Sequence, residues 1–275
     1  MTVEADERDP VERLISRYVA AARADLESRR SSWRVDIASP AMDQVLGALL
    51  ARQVTLATQL AQSPGVWNQH VAPLVFRAMA DLHITAAWIL KDPESRARSF
   101  LLHGLGQDKL YIEHRKNEIA QSGGSPEDDE QLSLLEGWVN EQQYTYLTEV
   151  NVGSWSGVDT RAMADEVGLL GFYRLAYAPW SATTHSMWNH VGKYNVTRCR
   201  NPLHRFHRVP IDWQMPPDPN CLHQVAELLQ QTLDLFDSHR DGSFLGPSAL
   251  SVLEREMNAL AREDESKPPE PSPAG

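Results

Sequence analysis

Apolar residues recur at helical spacing along most of this chain. Between Pro10 and Arg29 they fall at Val11, Leu14, Ile15, Tyr18, Val19 and Ala22, a stripe that opens on a proline in the first turn. A second helix, rich in Ala and Leu, is predicted from Ser39-Pro40 to about Gln62, where Ser63-Pro64-Gly65 ends it. The next stretch, VAPLVFRAMADLHITAAWILK (Val71 to Lys91), is apolar nearly all the way round, as expected of a helix buried on every side. At about 30 Å it would be the axis of the molecule. Asp92 is placed to cap the following helix, which carries Phe100, Leu101, Leu105, Leu110, Tyr111 and Ile112 and fades at Ser122-Gly123-Gly124-Ser125. Gly104 and Gly106 weaken its middle, so a bend is expected there.

The second half reads similarly. A fifth helix is predicted from about Pro126 to Val150, with Asp128, Asp129 and Glu130 in the turn where the helix dipole favours negative charge. Asn151 to Gly157 is a connector, Thr160 to Val167 a short helix, and Gly168 its stop. Gly171 to Ala178 and Ser181 to Val191 are expected to form a helical pair interrupted at Pro179. From Gly192 to Asn220 the helical period vanishes among five prolines, which predicts an ordered surface loop with at most a short strand or helical turn. Cys221 to Ser238 and Pro247 to Arg262 close the body, and Ser266 to Gly275 has the composition of a disordered tail. The fold class is all-α: an irregular multi-helix bundle around the buried helix at about 71–91, one domain over 1–265 and a tail over 266–275. Trp67, Trp88, Trp138, Trp155, Trp180 and Trp188 are assigned to its core.

Composition narrows the function classes. A net charge of −11 argues against a general electrostatic grip on nucleic acid, although a local basic groove is compatible with it. The first ten residues lack an apolar signal region, and Arg77, Asp81 and His83 break the most apolar run below the length of a membrane span. A cytoplasmic protein that engages no membrane is expected. Cys199 and Cys221 are too few for a disulfide framework, so both are read as reduced thiols.

Arg77 and Asp81 lie four residues apart, and therefore on one face, in the most apolar helix of the chain. Charges removed from water are costly unless they pair. His185 could join them, with Tyr177 or Ser181 along the same side of its helix. In a functional reading Arg77 clamps an anion, His185 is the general acid or base, and Asp81 orients one of them. In the plainer reading the cluster holds helices in register. A second candidate is the segment Arg198-Cys-Arg-Asn-Pro-Leu-His204-Arg-Phe-His207. Its Arg198/His204 and Arg200/His207 pairs satisfy the Arg–x4–6–His spacing of HEPN-type ribonucleases, which are helical proteins common in defence and toxin systems. Asn201 could cap, and Pro202 begin, a short helix that sets the two histidines one turn apart. A solvated basic loop that docks a partner is the alternative.

Metal binding is the third possibility: Cys199 with His204 and His207, Asp81 with His83, or Glu113 with His114. Structural zinc sites usually present ligand pairs such as Cys-x2–4-Cys or His-x3–5-His. Only His185-x4-His190 fits, and residues five apart diverge on a helix. No metal and no cofactor is therefore assigned, and the chain has no glycine-rich phosphate loop, Gly-x-Ser-x-Gly elbow or His-Glu-x-x-His.

Two blocks of the chain resemble a known family. FRAMADLHITAAWILKDPESRARSF, within Leu74 to Phe100, is similar to one signature of the DUF5677 family of bacterial proteins: Arg, three residues, an acid, then a helix ending at a "kDPe" corner. WSGVDTRAMADEVGLLGFYRLAYAPWSATTH, from Trp155 to His185, resembles its second signature, which ends in two tyrosines and a Ser and His four apart. The family's acid is usually Glu where this chain has Asp81. The resemblance implies a helical fold and gathers Arg77, Asp81, Tyr173, Tyr177, Ser181 and His185 into one cluster; it implies no reaction. Two functions follow as expectations. One is a defence-type, metal-independent nuclease or nucleotide-processing enzyme acting on RNA or a nucleotide. The other is a binding or regulatory module that meets a protein partner through 192–220. The oligomeric state is left open, a homodimer included.

Overall fold

The computed structural model describes residues 9–31, 33, 40–142, 153–239 and 246–265. Among these the chain is helical almost throughout: α1 (Pro10–Ser31), α2 (Pro40–Ala61), α3 (Ala72–Ile89), α4 (Pro93–Gln121), α5 (Glu130–Glu141), α6 (Thr160–Glu166), α7 (Leu170–Phe172), α8 (Ala178–Thr184), α9 (Trp188–Tyr194), α10 (Asn220–His239) and α11 (Ala249–Glu265). Between α9 and α10 stands one two-stranded antiparallel sheet, β1 (Val196–Arg198) and β2 (Arg208–Pro210), with Thr197 opposite Val209. The fold is all-α. No described helix is long and apolar enough to cross a membrane. The expected tail at 266–275 and the second half of the expected fifth helix lie outside the described residues.

The chain divides into two compact units, and the division falls inside α2 and α3. The first unit holds residues 49–83 and 170–275 together with α1. Its core is the stripe Leu14, Tyr18, Val19 and Ala22 of α1, Leu222, Val225, Leu229 and Leu233 of α10, and Ala249 and Leu253 of α11, all buried. Asp25, 1% exposed, accepts from the Ala249 N–H at 2.8 Å and so caps α11 from α1. Arg29 pairs with Asp237. A buried polar group forms around Thr232: its hydroxyl donates to the Leu228 carbonyl and accepts from Gln53 Nε2 at 2.9 Å. With its one proton committed, that oxygen also accepts from His83 Nδ1–H at 3.1 Å. Burial pushes the His83 imidazole down to about 4, so it is neutral near pH 7.

In the second unit Ile112, Leu132 and Val139 form a core where α4 meets α5, with Ile119 and Leu135 packed against it. Asp129 caps α5 by accepting from Leu132 N at 2.9 Å, whereas Asp92 precedes α4 without a side-chain cap bond. α4 runs unbroken through Gly104 and Gly106. Trp67 and Trp88 are buried as expected, but Trp138 and Trp188 are 49% and 71% exposed. Helical spacing alone does not say which face of a short amphipathic helix meets the core.

Two glycines end helices in the left-handed conformation. After α6, Gly168 (φ 76°) donates to Asp165 O and Leu169 to Ala164 O; after α4, Gly123 and Gly124 make the same pair of bonds to Ala120 and Ile119. The expected stop at Gly168 is therefore a Schellman turn. α8 ends identically, with Ser186 N donating to Thr183 O and Met187 N to Ala182 O, but here a serine adopts φ 49°. Outside glycine that conformation costs about 1 kcal/mol or more.

The break expected at Pro179 is absent, and the helix passes through it. Pro179 has no N–H for the carbonyl four residues back and would crowd it. The chain responds with a π turn, Tyr173–Tyr177, in which Ala178 N donates to Tyr173 O, five residues back. The true corner is Ser186.

Candidate functional site

The site lies in the first unit, along the seam between α3 and the α7–α8 segment. The two run antiparallel: Phe172 meets His83 edge-on at 5.7 Å, and Trp180 meets Phe76 at 5.3 Å. Between these contacts Tyr177 faces Arg77, whose guanidinium carbon lies 3.4 Å from the ring centroid. Phe172 and Tyr177 are five residues apart, which in a regular α-helix would turn them about 140° from each other. The π turn removes that offset and sets both on α3. Tyr173 stacks on Tyr177 at 4.7 Å, and Arg77 Nη1 donates to Asp81 Oδ2. The arginine, its acid and the two tyrosines thus form one cluster.

Its partners are incomplete. Among the described residues Asp81 is the one hydrogen-bond acceptor for the Arg77 guanidinium, and the Arg77 Nε is buried with none. The Arg77 side chain is 14% exposed and that of Asp81 44%, so one edge of the pair faces solvent.

Ser181 and His185 stand differently. Ser181 is half-buried one turn beyond Tyr177, and its carbonyl accepts the His185 N–H at 3.0 Å. His185 caps α8, exposed, and its ring has no hydrogen bond or ring contact among the described residues. Eight residues at 1.5 Å each carry it about 12 Å along the axis from Tyr177, in the direction away from Asp81.

A different histidine occupies the seam. One turn before Arg77 on the same face of α3, Pro73 walls a cavity of about 260 Å³ lined also by Trp180, Thr183, Asn189, His190 and Lys193. His190 is 9% exposed, and its Nδ1 lies 3.1 Å from Thr183 Oγ1. His70 and Tyr194 pack against its ring at 5.9 and 5.0 Å. Burial, then the neighbouring His70 and Lys193, hold the His190 imidazole below its usual range, which keeps it a neutral acceptor near pH 7. The Ser186 corner brings α9 back so that His190 reaches Thr183. A single sequence carries little trace of this: a glycine would mark such a corner, but the residue is serine. Gly192 is a weak signal, since a Cβ there would lie 2.9 Å from the Trp188 ring.

Arg198, Arg200, His204 and His207 fall on the β-hairpin rather than on a helix. Two successive turns, His204 N to Asn201 O and His207 N to His204 O, replace the short helix expected after Asn201. The histidines still come together, with ring centroids 5.4 Å apart, but their polar neighbours are Cys199 and Asn201, not the arginines.

In the second unit a matching station gathers Arg96. Its Nη1 donates to Trp88 O at 2.7 Å, its Nη2 to Glu166 Oε1 at 2.6 Å, and its plane covers the Trp88 ring at 3.6 Å. Trp88 Nε1 donates to the other Glu166 oxygen, and Trp155 packs on Trp88 and Phe100. Hydrogen bonds from Arg96 and Trp88 hold the Glu166 carboxyl below its ordinary value.

These features define an all-α protein in which two distant blocks of sequence meet twice, once at Arg77 with Tyr177 and once at Arg96 with Glu166. The chain belongs to the DUF5677 family, a family of unknown function whose model matches residues 43–201. No curated protein and no solved structure matches the chain.

Proposed function

We propose that the chain binds a small phosphate-bearing molecule of the nucleotide class at the α3–α8 seam and acts on it by acid–base chemistry. The observation that carries this reading is the unfilled hydrogen-bonding capacity of Arg77, one helical turn from a polar cavity containing a neutral histidine. Arg77 clamps the anion, Asp81 and the Tyr177–Tyr173 stack hold the guanidinium plane, and Lys193 adds positive charge at the rim. His190 accepts a proton from a hydroxyl or water, with Thr183 fixing the ring; His185 has no part in the step. Trp180 and Tyr194 offer ring faces to a base. A space of about 260 Å³ suits a base or nucleoside, not a dinucleotide.

The test incubates purified protein with nucleotides, tRNA and single-stranded DNA and resolves the products chromatographically. Turnover should fall about 100-fold or more in His190→Ala, while Arg77→Lys chiefly raises KM. A wild-type protein that neither binds nor turns over any of these, or turnover indifferent to His190→Ala, overturns the proposal.

The hairpin favours a second reading, as a module that docks a protein partner. It holds Leu203 and Phe206 at 88% and 87% exposure. Nucleotide binding absent, with a partner lost on Phe206→Ser, selects that reading.

A further inference from the structure

The hairpin raises a question of its own: what holds its loop. Each strand has three residues, paired in three registers, and a two-stranded ribbon of that size is marginal without a core. The loop from Arg200 to His207 is exposed at every position. Yet its turns bring three side chains inward on one another. The ligand atoms of Cys199, His204 and His207 all lie within 4.8 Å of each other. Cys199 Sγ stands 3.7 Å from His204 Nδ1, close to the roughly 3.6 Å edge that zinc–sulfur and zinc–nitrogen bonds subtend in a tetrahedron. The Asn201 N–H donates to the same sulfur at 3.5 Å, and such an outer partner orients a metal ligand.

We propose that Cys199, His204 and His207 bind a zinc ion that staples this hairpin. One thiolate and two imidazoles form a donor set suited to zinc, and three protein ligands leave the fourth position to water. Binding displaces the Cys199 thiol proton, so affinity rises with pH. The ligand spacing is Cys-x4-His-x2-His. It contains neither of the usual ligand pairs, and only the two consecutive turns bring the three groups together. The site is independent of the seam: its ligands touch none of the residues assigned to acid–base chemistry, and it stands or falls whether or not a nucleotide is turned over.

Full-length protein is stripped with chelator, reloaded with Zn²⁺, dialysed and analysed for metal, with Co²⁺ as a spectroscopic probe. One zinc per chain should be retained. The Co²⁺ form should show a thiolate charge-transfer band and the intense visible bands of a four-coordinate ion. Cys199→Ser should remove the charge-transfer band, and His204→Ala and His207→Ala should each weaken zinc at least ~10-fold. Helical circular dichroism should be unchanged in all three, because the ligands lie outside the helices. Zinc should also slow tryptic cleavage at Arg200 and Arg205 in the wild type alone. Zinc not retained by the wild type, zinc held equally by His204→Ala and His207→Ala, or a charge-transfer band surviving Cys199→Ser overturns the proposal.

Discussion

Arg77 and Arg96 occupy similar settings and end in different states. Each comes from the first sequence block, lies against an aromatic ring of its own unit at 3.4 or 3.6 Å, and pairs with one carboxylate. Arg96 goes further, donating also to a backbone carbonyl, while its acid is shared with an indole N–H from the same block as the arginine. Arg77 relies on an acid from its own helix and keeps a buried N–H without an acceptor. An arginine with acceptors on two elements joins segments of chain. One with a buried N–H lacking an acceptor retains directional capacity for something else, and here a cavity begins one turn away.

The largest test of this contrast is to remove each arginine. Arg96→Ala removes the bond to the Trp88 carbonyl and the ion pair with the solvent-facing Glu166, whereas Arg77→Ala removes a pair within one helix, so Arg96→Ala should cost more, both read by denaturant unfolding. Equal losses would erase the distinction. A further test is acid at His83, which is buried and hydrogen-bonded to Thr232. Its folded-state value of about 4 lies below the ordinary 6.5, so the unfolded chain binds the extra proton between these values. Stability should therefore fall as pH drops from about 6.5 to 4, by roughly 3 kcal/mol, and His83→Gln should flatten that slope. Smaller effects come from the helix ends. Gly168→Ala should destabilise by about 1 kcal/mol, while Ser186→Gly, relieving a left-handed serine, should stabilise by a similar amount. If Ser186→Gly also slows turnover, the strained corner is serving the cavity.

Much of this was legible beforehand because helices announce themselves by period and punctuation. Pro10, Pro40 and Gly168 marked ends that the structure keeps to within a residue or two. Arg77 and Asp81 were legible as a pair because four residues make one turn. Tyr177 was set beside them through the helical side it shares with His185, and Tyr173 only through family resemblance. His190 escaped because it reaches the seam by way of a corner built from serine. The Cys199–His204–His207 triad is visible in the sequence but lacks the ligand spacings common in known sites, which assume other loops. Trp138 and Trp188 were misassigned because apolar character is not the same as burial.

The π turn at Tyr173–Tyr177 has one more lasting consequence. It is a place where chain length itself is information: one surplus residue is what keeps Phe172 and Tyr177 aimed at the same neighbour. Leu175, its side chain 84% in solvent, contributes little except that residue of length. Deleting it would restore an ordinary helix while swinging every ring behind it out of alignment. Over evolutionary time this short segment should therefore tolerate exchange of side chains far better than a change in their number.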